Sequence, residues 1–235
     1  MNHDDSSEVE HITLKNPSIN NDYTLDQHIP FLALFACILR TPTTLLNAIE
    51  NNNFSYLKKA FIIALVCHLI YGIIMGGFSG GEQWLFSPIK GVFSIAFTSL
   101  LCFPSLYIFA CLSGVNMTTN QLGALFITGL ALTGQILLGF LPIAFIFSFS
   151  IDSLHFMGAI HLIIIMPSLF FGLRFMMKGL AQFGLEKNNI LAIWQIIFII
   201  TLLQMSTIMR PLIGTSEQFL TAEKQFFLSH WTQYK

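Results

Sequence analysis

The sequence predicts an all-helical bundle that sits in a membrane and crosses it about five times. Composition is the first reason: 54% of the 235 residues are hydrophobic and only 10% are charged, against roughly 25% charged in an ordinary soluble domain. The second is a set of five long apolar runs with no aspartate or glutamate in them, separated by short polar or glycine-rich joints. About 20 apolar residues span the hydrocarbon as a helix, and there every backbone amide has to be satisfied within the chain. The third is proline: Pro104 in FPSLY and Pro142 in FLPIAF lie deep in adjacent runs, so 91–150 reads as a hairpin of two bent spans.

Residues 1–29 hold six acidic side chains against Lys15 and show no apolar periodicity, which predicts a disordered acidic tail. A signal peptide would need a basic start and an apolar middle, so the first span is expected to serve as its own insertion signal. Residues 30–58 are expected to form short interfacial, amphipathic helices. FLALFACILR is about half the length of a span and ends at Arg40. Thr41 then suits an N-cap and Pro42 the first helical position. Leu45, Leu46 and Ile49 give the second helix an apolar face suited to resting on the membrane.

The five-helix transmembrane domain is expected over 59–210. Its first span, about 60–78, follows Lys58 and Lys59 and carries Gly72, Gly76 and Gly80 at four-residue spacing. Such a series lets a second helix approach closely; the same glycines also suit a flexible exit loop. The second span, about 91–113, repeats the device with Ser94, Thr98 and Cys102. The third, about 122–149, is long for one crossing and is expected to tilt or to bend at Pro142. The fourth, about 153–177, contains Pro167 and closes with Arg174 and Lys178, and the fifth, about 190–209, stops at Arg210 and Pro211. Residues 211–235 mix polar residues with Phe219, Leu220, Phe226, Phe227, Leu228 and Trp231, the pattern of an amphipathic tail.

Basic residues near span ends set the orientation. With the N-terminus in the cytoplasm, Arg40, Lys58, Lys59, Arg174, Lys178 and Lys187 fall inside, against Lys90, Arg210, Lys224 and Lys235 outside. The expectation is therefore a cytoplasmic N-terminus, in the inner membrane if the source is bacterial.

The stretch ILRTPTTLLNAIENNN before the first span, the lysine pair, five crossings and the polar joint in SGVNMTTNQLGALF together resemble the bacterial members of the Yip1 family. The similarity lies in hydropathy and element order over about 33–200. It implies a five-span helical fold and no catalytic motif. The D-L-Y-G-P and G-Y motifs of the eukaryotic members are missing from this sequence, so their role in vesicle traffic is not carried over to any residue.

Chemistry has few handles. The runs lack the carboxylate of a proton or sodium relay, which argues against an ion-coupled pump. Asp152 and His155 share a helical face, but His161 lies six residues further on, roughly 600° around, so one helix does not present three metal ligands. Asp152 or Ser153 is the expected cap of that helix. Cys37, Cys67, Cys102 and Cys111 all sit in apolar runs without C-x-x-C spacing. No G-x-S-x-G, H-E-x-x-H, phosphate-binding glycine loop or haem motif is present. The expectation is a non-enzyme without metal or cofactor, although Ser94, Ser99 and Ser105 with His68 or His161 keep an intramembrane hydrolase formally open.

His68 and His161 are candidates for a buried pair. Together with Gln135 they are also the candidates for a polar path, while Gln135, Gln195 and Gln204 equally suit hydrogen bonds between helices. Pro104, Pro142 and Pro167 are the candidate hinges, and Gly72, Gly76, Gly80, Ser94 and Thr98 the candidate packing faces. These features point to a protein that acts by binding membrane lipids, other membrane proteins or its own copies, and not nucleic acid. The alternative is a channel or transporter for a small neutral or weakly charged solute.

Overall fold

The computed structural model describes residues 29–208, except 80, 82, 152 and 186–188. The acidic tail, Gly80, Asp152, Lys187, the last residue of the fifth run and the tail 211–235 lie outside the described residues. Among those described, eight helices form and no strand: α1 (Phe31–Arg40), α2 (Pro42–Glu50), α3 (Leu57–Ser79), α4 (Gln83–Leu112), α5 (Thr119–Gly139), α6 (Leu141–Ser150), α7 (Leu154–Gln182) and α8 (Asn189–Ile208). Five of them, α3, α4, α5, α7 and α8, are long and apolar enough to cross a membrane.

Helix α5 is the axis of the bundle. Buried residues make up 61% of an 18-residue apolar stretch of it, against 22% for α4 and 17% for α8. Thr118 and Gln121 start it with a reciprocal capping box, each side chain bonded to the other's backbone N–H. Helices α3 and α7 flank it, and the main core joins Leu122, Leu125 and Phe126 of α5 to Ile63, Leu106, Leu173, Leu180, Trp194 and Phe198. A smaller cluster around Tyr71, Leu137, Ala144 and Ile164 joins α3, α5, α6 and α7.

The prolines act in two ways. Pro142 sits in the first turn of α6, and the long third run is broken just before it, at Phe140. Pro104 and Pro167 lie inside continuous helices. Helix α4 also begins eight residues before the expected start of the second span, so Lys90, expected in an outer loop, is inside the helix and buried. The sequence obscures this start because Pro88 and Lys90 interrupt the apolar run. Gly72 of α3 accommodates Pro88 at the helix–helix contact.

Helices α1 and α2 form an elbow, bent by 103° at Thr41. Leu34, Ile38, Leu45 and Ile49 are fully buried in the main core, so the apolar faces expected to rest on the membrane are turned to protein. The elbow also returns to the level at which it starts. Ile29, just before α1, offers its carbonyl to Lys59 Nζ at 2.6 Å, and Lys59 lies in the first turn of α3, just after the elbow. A segment whose two ends lie within one lysine side chain of each other has entered the bundle and come back. The end of α2 meets the starts of α3 and α5 and the ends of α4 and α7: Gln121 Nε2 donates to Ile49 O, Asn116 N–H to Phe183 O, and Gln182 Nε2 to Asn47 and Glu50.

Candidate functional site

Small residues position the helices that carry the polar groups. A Cβ on Gly72 would stand 2.5 Å from the Cα of Pro88, so α3 and α4 touch there backbone to backbone. Gly76 is buried one turn on, as are Ser94 and Thr98 of α4. Thr98 Oγ1 donates to Ser94 O within its own helix, at 2.8 Å. The tightest seam, between α5 and α7, is one the sequence reading missed. There a Cβ on Gly172 would collide with Thr133 Oγ1 and the Gly129 carbonyl, one on Gly179 with Leu125, and one on Gly129 with Met176. Gly129 and Thr133 are four apart and Gly172 and Gly179 seven apart, spacings that place each pair on one face.

The two span histidines do not pair with each other. His161 shares a 2.8 Å hydrogen bond with the Tyr71 hydroxyl through Nδ1, and the rings meet edge to face at 88°. Tyr71 lies one turn beyond His68 on α3 and so takes the place of the expected partner. His68 instead bonds the Ala64 carbonyl, Nδ1 to O at 2.7 Å. A carbonyl only accepts, so Nδ1 carries the proton and Nε2 is left as an acceptor. Both Nε2 atoms are buried without a hydrogen-bond partner among the described residues, as is Gln135 Oε1. Tyr71 had a signal in the sequence: it is a hydroxyl three residues from a histidine in an otherwise apolar run.

The amides connect elements. Gln135 Nε2 donates to Phe35 O of α1 at 3.0 Å, Gln121 Nε2 to Ile49 O of α2 at 3.3 Å, and Gln195 Nε2 to Leu173 O of α7 at 3.4 Å. The Trp194 indole N–H bonds Cys102 O and Ser105 Oγ of α4, beside Pro104, and the ring stacks on Phe198. His68, Gln135 and His161 thus have three different partners, Ala64 and Tyr71 on α3 and Phe35 on α1. Ser153 is the described cap of α7, its hydroxyl accepting from Phe156 N–H. Just outside the first span, burial pushes the Tyr56 phenol up to about 12.

Neither histidine is hydrogen-bonded to a span serine among the described residues: Ser105 donates to Cys102 O, and the Ser94 and Ser99 hydroxyls are buried without partners. No three His, Cys, Asp or Glu side chains gather there as a metal site. Comparison with protein-family models, with curated proteins and with solved structures finds no match. The chemistry of the buried polar groups therefore has to carry the functional reading alone.

Proposed function

We propose that this membrane-embedded protein works by association, as a scaffold, accessory subunit or membrane-organising partner, and not by catalysis. What carries the reading is how the polar groups at depth are used. Gln121, Gln135, Gln195 and Trp194 each direct an N–H to a backbone carbonyl of a neighbouring element, which is how buried amides hold helices together. The outward faces of α4 and α8 meanwhile carry large exposed apolar side chains, among them Leu100, Leu101, Leu112, Ile196 and Ile200. The proposal includes a cytoplasmic N-terminus, an inner-membrane location in a bacterial source, and the Yip1-like order of elements.

Solute passage is the second reading, and one observation favours it: His68 Nε2, His161 Nε2 and Gln135 Oε1 are buried acceptors or donors without partners. Such atoms cost free energy unless something polar meets them. Purification of the tagged protein from its native membrane in a mild detergent, with the mass and components of the complex determined together, separates the two. The association reading expects a stoichiometric partner or a defined homo-oligomer. A lone monomer whose flux of a small polar solute in liposomes is abolished by His161→Phe would replace it with the second reading.

A further inference from the structure

On α7, Phe156, Ile163 and Phe170 recur every seven residues and are all exposed, by 51%, 70% and 56%. Seven residues turn a helix by about 700°, so the three side chains form one outward stripe along the axis. Arg174 and Lys178 continue it at four-residue steps, and both are exposed. A single face of one helix therefore passes from aromatic and aliphatic to doubly cationic. Within it, Phe171 is exposed beside Phe170, and their rings meet 5.8 Å apart.

Length sets the level at which the change occurs. Helix α7 has 29 residues, about 43 Å at 1.5 Å per residue, whereas the hydrocarbon is about 30 Å thick. Arg174 and Lys178 stand eight and four residues before the end of α7 at Gln182, and cationic side chains of that length near a helix end reach out to the interface, with Phe170 and Ile163 on the acyl side. Two like charges four apart on a helix repel each other, and neither has an ion-pair partner among the described residues. Glu50, the acid described at this end of the bundle, is held by Gln182 at 2.9 Å.

We propose that this stripe binds an anionic phospholipid, with its phosphate between Arg174 and Lys178 and an acyl chain along Phe170 and Ile163. The guanidinium offers a planar fork to phosphate oxygens and the ammonium a mobile second charge. The charge complements the phosphate and the apolar stretch above it the chain, whereas a soluble phosphate would leave that stretch unused. The inference deepens the association reading and rests on it, because it names the lipid class and the face that takes it.

The test is native mass spectrometry of the full-length protein in a mild detergent with equimolar phosphatidylglycerol and phosphatidylcholine. The protein is expected to retain the anionic lipid preferentially. Each cation near an anionic headgroup contributes about fivefold in affinity, so Arg174→Gln with Lys178→Gln should lower retention by about tenfold or more. Arg174→Lys, which keeps the charge and loses the fork, should fall between. Lys58→Gln, at the same end but off the stripe, should change little. Absence of a preference in the unaltered protein, a preference that survives the double substitution, or an equal loss with Lys58→Gln would overturn the site. A protein without lipid preference that still carries a stoichiometric partner would overturn the lipid site alone and leave the association reading standing.

Discussion

At the scale of single residues, the small ones hold the molecule together. Gly72 has no room for a side chain, because the Cα of Pro88 would lie 2.5 Å from its Cβ. A contact to backbone cannot be relieved by a rotamer change, so Gly72→Ala has to separate α3 from α4. Overpacking of this kind costs about 1–3 kcal/mol, and the variant should melt at a lower temperature in detergent. Gly91 is the control, since a Cβ there would meet nothing within 4 Å. Gly91→Ala should leave the melting temperature unchanged or raise it, because alanine is the better helix former by about 1 kcal/mol. Equal effects of the two substitutions would show that Gly72 is not a contact point. Gly72 was legible in the sequence through its regular spacing with Gly76. Gly129 and Gly172 were not, because their contact joins two helices far apart in the chain and neither belongs to a conspicuous series. Lys90 misled for a related reason: a charge beside a proline reads as a loop, and only the space that Gly72 leaves for Pro88 lets the helix run through it.

At the scale of elements, the elbow of α1 and α2 was half legible. The sequence showed two short helices restarted at Thr41 and Pro42, and apolar faces on Leu45, Leu46 and Ile49. It did not show where those faces turn, because an apolar face is satisfied equally by lipid and by protein. The choice is made by Gln135 and Gln121, 14 residues and so about 21 Å apart along α5, which bond Phe35 O and Ile49 O. Gln135→Leu removes one of these bonds and leaves the apolar contacts of Leu34 and Ile38 in place. Hydrogen exchange over 31–40 should quicken while the global melting temperature falls only slightly, since hydrogen bonds between membrane helices average about 0.6 kcal/mol. Unchanged exchange there would mean that packing alone holds α1. The bend before α6 was readable from Pro142, because proline suits the first turn of a helix and ends the one before it. The sequence likewise placed Pro104 and Pro167 inside single spans, and α4 and α7 run on through both.

At the scale of the molecule, the fold class was legible because hydropathy and the absence of carboxylates constrain a membrane bundle strongly. The polar centre was less so. His68 and His161 stand out in the sequence, yet the pairing of His161 with Tyr71 depends on how α3 and α7 meet, while His68 turns back to Ala64 O of its own helix. The central claim is a five-crossing bundle with an N-terminal elbow that re-enters and does not cross. It rests on Lys59 reaching the Ile29 carbonyl from the first turn of α3. Among the described residues, the elbow is the segment that could add a sixth crossing, because its two helices taken together are long and apolar enough for a span. The most direct measurement is side-specific labelling of single cysteines in sealed membranes, with the four native cysteines replaced. Cysteines at Ser55, Asn116 and a position before Ile29 should all label from one side, and cysteines at Gly81 and Ile151 from the other. If the position before Ile29 labels from the side opposite Ser55, the elbow is a crossing span and the account of the fold is wrong.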